Sequence, residues 1–299
     1  MRVLLAGATG AIGRPLIRGL KQHGHSVFGL VRSAKSTRMP TEMGAEAVIG
    51  DALDAASVRA AIVRVRPDAV INELTSLPRH YTPAEMKAGA ERDSRVRREG
   101  NVNLLAGMRE SGVRRYVLQS SGFWYAPGPG LADESSPLAV DASPGVAASA
   151  RTYVELESTA FRASEIDCVA MRYGFFYGPG TWYANAGDMG EQVRRQQVPI
   201  IGAGQGVSSF VHIEDAASSA SPIKALASIS ASMRVDSAER TKPNTLCPCC
   251  FRPRINGRPI APVAPASRTL ISSLPRINPQ SYEIYYLMGS ASCLQPPAA

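Results

Sequence analysis

Short apolar runs alternate with longer amphipathic ones over the first 175 residues of the chain. The runs Arg2–Ala6, Ser26–Val31, Ala45–Ile49, Ala69–Glu73, Tyr116–Ser120 and Asp167–Arg172 are mostly apolar, and several are rich in Val and Ile. Runs of this kind fit strands covered on both faces. Helical signals lie between them. One segment runs from about Ala11 to His23 and stops at Gly24, a residue suited to ending a helix. A second follows Asp54, a natural N-cap, and ends before Arg66-Pro67. A third covers roughly Arg97–Glu110 and ends at Ser111-Gly112, and a fourth spans about Ala148–Ala163. The alternation predicts an α/β fold, a doubly wound parallel sheet with right-handed crossovers.

Two stretches break the pattern. Gly122–Pro144 is rich in Gly, Pro and Ser and reads as a long loop, a feature often tied to function. From Ala217 onward the alternation lapses, and half of the chain's 22 prolines fall in residues 217–299. That tail is expected to be poorly ordered or loosely attached. A change of reading frame near Ala216–Ser221 and an authentic divergent tail both account for so abrupt a shift. The pattern divides the chain into an α/β domain over 1–175, a short further segment over 176–216, and the tail.

Charge follows the same division. The net charge of +8 splits into +2 for residues 1–216 (24 Lys/Arg, 22 Asp/Glu) and +6 for 217–299 (nine against three). The basic balance belongs to the tail, whose arginines lack a recognisable nucleic-acid module, so no nucleic-acid partner is expected. No apolar run reaches the length of a membrane span and the N-terminus lacks signal-peptide features, so a cytoplasmic protein without membrane partners is expected. Cys168 is the one cysteine before residue 217, which suits a reducing compartment. Cys247-Pro248-Cys249-Cys250 lacks the spacing of a zinc site and has no histidine nearby, so no metal is expected.

The candidate chemistry begins at Gly7-Ala8-Thr9-Gly10-Ala11-Ile12-Gly13, directly after the first apolar run. A glycine-rich turn from strand into helix brings backbone N–H groups against a diphosphate, whose charge the helix N-terminus favours. Gly7 permits the tight turn, Gly10 lets the backbone, with Ala11 and Ile12, approach phosphate, and Gly13 lets the helix pack closely. At the end of the second strand, Arg32 and Ser33 stand where an acid selects a free ribose 2′-hydroxyl and an arginine a 2′-phosphate. The expected cofactor is therefore NADP, with NAD also accommodated; Arg32 as a solvated surface residue is the plain alternative. In Gly50-Asp51-Ala52-Leu53, Asp51 can accept from the adenine amino group beside Ala52, or simply cap a turn.

With Gln119-Ser120-Ser121-Gly122-Phe123-Trp124-Tyr125, Met171–Gly180 and Ser209–Ala216 in the same order, residues 1–216 resemble the extended short-chain dehydrogenase/reductases, in their NAD(P)-dependent epimerase/dehydratase branch. The resemblance implies a Rossmann-like dinucleotide-binding domain over 1–175, the start of a smaller, incomplete C-terminal substrate lobe over 176–216, a small-molecule or nucleotide-sugar substrate, and hydride transfer. It implies a Ser/Thr that positions the substrate hydroxyl, matched by Ser121, and a wall beside the nicotinamide at Tyr173–Gly180. It also implies Tyr-x-x-x-Lys, in which a cation stabilises the phenolate of a tyrosine that otherwise titrates near pH ~10. Here the chain reads Tyr153-Val154-Glu155-Leu156-Glu157. In one register Tyr153 is the base and Glu157 replaces the lysine; in another, Ser149 and Tyr153 take the two positions. Either way the pair is absent. Tyr153 with another cation such as Arg151 or Arg172 keeps a variant reductase open, and a non-catalytic NADP-binding sensor is the rival reading. A homodimer is allowed, and oligomeric state is left open.

Overall fold

A computed structural model describes residues 1–128, 132–199 and 208–221, with two-residue strands at 245–246, 254–255 and 258–259. Six parallel strands form the sheet: β1 (Arg2–Ala6), β2 (Ser26–Val31), β3 (Glu46–Ile49), β4 (Ala69–Asn72), β5 (Arg115–Ser121) and β6 (Asp167–Tyr173). Their order is β3-β2-β1-β4-β5-β6, and Thr245–Leu246 pairs in parallel beyond β6. Strand order reverses between β1 and β4, which leaves a crevice at their carboxyl ends, the place where doubly wound sheets take ligands.

Alternate residues of each strand enter different cores, as a period of two requires. Val3, Leu5, Ile71, Val117 and Val169 face α1 (Gly13–Gln22) and α7 (Ile213–Ser219). Leu4, Phe28, Val70 and Leu118 face α3 (Ala55–Val65), α4 (Pro83–Glu110) and α5 (Pro144–Phe161). The short α2 (Arg38–Glu42) connects β2 to β3. The strands are Rossmann-like and near their expected limits. Asp54 caps α3 by accepting from the Ala56 N–H, and Gly24 and Gly112 take positive φ after α1 and α4.

Three segments differ from expectation. Helix α4 starts at Pro83 rather than near Arg97, its first turn capped by the Thr82 hydroxyl, which accepts from the Glu85 N–H at 3.2 Å. Its first half buries few residues and lines a cavity instead, so it carries no apolar period to detect. Within the expected long loop, Tyr125 pairs with Leu138, and Trp124, Tyr125, Leu138, Val146 and Tyr153 form a satellite core. The pattern is expected to lapse from Ala217, yet α7 runs on to Ser219 and buries Ala216 and Ala217 against the α1 face. The short β7 (Phe175–Tyr177) and β8 (Phe210–His212) pair in parallel, and α6 (Asp188–Arg194) lies between them in sequence. Most of the tail, including the cysteine cluster, lies outside the described residues. No helix among the described residues is long and apolar enough to cross a membrane.

Candidate active site

Two glycines of the opening turn are required by backbone crowding. Gly7 has φ +92°, and a Cβ there would stand 2.3 Å from the Glu73 carbonyl oxygen at the end of β4. At Gly13 a Cβ would stand 2.4 Å from the Ala8 carbonyl oxygen, so this glycine closes its own turn rather than seating the helix on the sheet. Gly10 differs: a Cβ would approach only the Gly7 carbonyl, at 3.2 Å, and the residue lines open space with Ala11. The Ile12 side chain is buried in the core beneath. Helix α1 begins with no side-chain cap and no acidic residue in its first turn, leaving N–H groups without intrahelical acceptors. An exposed glycine face, uncapped N–H groups and a strand-order reversal together fit a dinucleotide diphosphate.

Farther along the crest, Arg32 and Ser33 are exposed beyond β2. Arg32 has no ion pair among the described residues, Ser33 meets the Ser36 hydroxyl at 3.3 Å, and Arg38 is taken by Glu42 at 2.6 Å. Asp51 accepts from the Leu53 N–H at 3.0 Å, so its carboxylate already holds its own turn. Ala52 is buried, and its carbonyl accepts from the Asn103 amide at 2.8 Å. Arg32, Ser33, Asp51 and Ala52 stand apart from the cavity next described.

From Gly10 and Ala11 a cavity of about 620 Å³ extends over the ends of β5 and β6. It brings together Ser121, Tyr153 and Tyr173 from three separate parts of the chain, with Ser149 and Thr152 beside Tyr153. Phe123, Trp124, Phe175, Trp182 and Tyr183 supply ring faces. The segment bearing Trp182 is tied to the loop after β4: Tyr81 N–H donates to Asp188 at 2.6 Å, and the Trp182 indole N–H donates to the Arg79 carbonyl at 3.0 Å. The Ser121 hydroxyl is buried without a partner among the described residues. Such a group costs free energy unless a ligand satisfies it.

Arg97 of α4 is 4% exposed and lines this cavity. Its Nε donates to Asp93 at 2.7 Å, and its guanidinium lies 5.1 Å from the Tyr153 ring centroid. Asp93 also accepts from the Ser76 N–H at 2.5 Å, so the pair is held from the loop side as well. Burial pushes the Tyr153 phenol above its ordinary pKa; Arg97 opposes the rise and Asp93 adds to it. Tyr153 is therefore a phenol, not a phenolate, at neutral pH.

Residues 3–221 match the model of the NAD dependent epimerase/dehydratase family. The chain belongs to that family. Among curated relatives, it is 42% identical over 222 residues to a Streptomyces 3-diazoavenalumate denitrifying reductase, covering 74% of this chain and 71% of that one. It is 27% identical over 225 residues to the 2-alkyl-3-oxoalkanoate reductase of Stenotrophomonas maltophilia, covering 73% and 63%. In fold it resembles the UDP-glucose 4-epimerase of Thermus thermophilus, solved with NAD, at a TM-score of 0.57, 24% identity and 73% coverage of each chain. Membership places the chain among NAD-dependent oxidoreductases and epimerases.

Against the family's Tyr-x-x-x-Lys, the geometry sorts the registers. Glu157 does not face the cavity: it is buried behind β5 and β6, where both its oxygens accept from Arg172, at 2.8 and 2.7 Å, and one accepts from Ser120 at 2.5 Å. It therefore cannot stand in for the lysine beside a substrate. Ser149 and Tyr153, one turn apart, are helix positions that line the cavity. Neither cation considered as a substitute serves: Arg151 is exposed and donates to the Val140 carbonyl, and Arg172 is committed to Glu157. The cation beside Tyr153 is Arg97. The sequence puts Arg97 at a helix limit and near the place where family members often carry an asparagine on the preceding helix, without linking it to Tyr153, and its burial among polar residues of that helix gives no periodic signal.

Glu73 was also missed. It is 2% exposed, accepts from the Tyr173 hydroxyl at 3.3 Å through one oxygen, and leaves the other without a partner among the described residues. Burial raises its pKa to about 8. Read as the last residue of a strand, an acid there is indistinguishable from an ordinary strand end. His212 caps α7, accepting from the Glu214 N–H at 3.4 Å, a structural role. No metal-binding cluster exists among the described residues.

Proposed function

We propose that the chain binds NADP along the crest of its sheet and reduces a small, flat carbonyl or related acceptor in the adjoining cavity. The observation that carries this reading is continuity: the space beside Gly10 and Ala11 opens directly onto Ser121, Tyr153 and Arg97. A reduced nicotinamide supplies hydride when bound. The Ser121 hydroxyl, free of protein partners among the described residues, orients the acceptor atom of the substrate. Tyr153, kept as a phenol by burial, gives that atom its proton. Arg97, fixed by Asp93, stabilises the negative charge left on the tyrosine, the task the missing lysine performs elsewhere in the family. Arg32 at the end of β2 supports NADP over NAD through its unpaired guanidinium.

The ring faces of the lining argue for a flat substrate. Of the two arginines there, Arg97 is paired with Asp93, and Arg79 is exposed with no ion pair among the described residues, so an anionic group on the substrate is accommodated. The names of the two reductase relatives support the direction of reaction. A non-catalytic, NADP-binding sensor is favoured by one observation: among the described residues, no lysine lines the cavity. The two readings separate when NADPH consumption is followed with a panel of conjugated carbonyl compounds. Turnover that falls at least about tenfold in Ser121→Ala, with an unchanged melting temperature, supports the enzyme. Binding of NADPH without consumption of it by any member supports the sensor.

A further inference from the structure

Glu73 follows β4 at the strand-order reversal, with its backbone and Cβ against Gly7 of the opening turn. Its own carbonyl is the atom that forbids a side chain at Gly7. One carboxyl oxygen meets the Tyr173 hydroxyl, Tyr173 lines the cavity, and the other oxygen is buried with no partner among the described residues. No cation pairs with this acid among those residues. The ionisable groups that feel its charge are Tyr173 on β6, Tyr116 on β5 and Arg97 on α4, and Arg97 is paired with Asp93. The glycine turn after β1 offers only backbone.

An ionised carboxylate in this place is doubly unfavourable. It is desolvated without a counter-charge among the described residues, and it belongs to the residue that presses on Gly7, beside the place where the proposed function seats a diphosphate of the same sign. We infer that Glu73 is a cofactor-binding residue in its neutral form, a buried acid whose proton must be present for the dinucleotide to occupy the crest. This rests on the dinucleotide reading of the site. The elevated pKa, about 8, supplies the proton at neutral pH. The sign follows directly: below a pH of about 8 the acid is neutral and the cofactor binds fully, and above it binding must restore a proton.

Titration calorimetry with NADPH between about pH 6.5 and 9.5, on the wild-type chain and on Glu73→Gln, tests this. For the wild type, affinity falls about tenfold per pH unit above ~8, as linkage to one proton requires, while the Gln variant keeps its affinity. Should Glu73→Gln fail to fold, the wild type alone decides: titration near pH ~9 in buffers of differing ionisation enthalpy shows uptake of about one proton per NADPH, and none near pH ~6.5. Parallel pH profiles for the two proteins, or no proton uptake on the alkaline side, overturn the role of Glu73 and leave the dinucleotide site standing. No heat with NADPH or NADH on the acid side overturns both.

Discussion

The two halves of the site are built from different materials. The proposed cofactor crest is mostly backbone: glycines pressed against carbonyl oxygens and an uncapped helix start, with Arg32 at an exposed end and Glu73 as its one buried acid. The proposed reaction cavity is side chain: Arg97–Asp93 on its wall, Glu157–Arg172 behind it, and a Ser121 hydroxyl with no partner among the described residues. A binding surface made of main chain tolerates change wherever the turn is preserved. A surface made of paired buried charges fails as a unit when one partner is lost.

The sharpest way to break that contrast is Arg97→Leu. It strands Asp93 as a buried carboxylate, with an expected stability loss of about 3–5 kcal/mol and loss of NADPH turnover. The double variant Arg97→Leu with Asp93→Leu recovers most of the stability in denaturant titrations and none of the turnover. If the double variant regains turnover, Arg97 has no part in the chemistry. Cofactor affinity at neutral pH, measured separately, stays near that of the wild type, because losing Arg97 removes a charge that lowers the Glu73 pKa and so leaves that acid neutral.

Gly10→Val probes the other half. The added Cβ meets only the Gly7 carbonyl, at 3.2 Å, and the rest of the side chain enters the cavity, so the melting temperature falls by a few degrees at most, while NADPH affinity drops on the order of 100-fold, or ~2.7 kcal/mol. A large loss of stability instead would mean that Gly10 serves the turn, as Gly7 and Gly13 do. Arg32→Ala is the mildest test. It should weaken NADPH by about tenfold, the cost of roughly one charge-assisted contact, and leave NADH unchanged. Equal losses for both cofactors would remove Arg32 as the selector.

The same contrast explains what could be read in advance. Gly7, Gly10 and Gly13 act through local spacing, and the strands they join are continuous apolar runs, so sheet and crest were legible in the linear text. Asp54 and Gly24 were legible for the same reason, because caps are local. Arg97, Gln119, Ser121 and Tyr153 meet only after α4, β5 and α5 pack, and no periodicity announces a polar residue buried among distant partners. The pairing of Glu157 with Arg172 was hidden likewise. Read along the helix, Glu157 is a neighbour of Tyr153; in space it belongs to the sheet.

That last pairing has a mechanical consequence. A bidentate guanidinium–carboxylate contact is directional in a way that apolar packing is not. Glu157 therefore acts as an indexing pin: α5 cannot slip along β6 by even one residue, a rise of ~1.5 Å, without parting two short hydrogen bonds at once. The spacing between Tyr153 and Ser121 is thus set from outside the chamber they share. Changes at 149, 152 and 153 alter the chamber without moving the helix that carries them, since the peg that aligns it lies one turn further on and faces the other way.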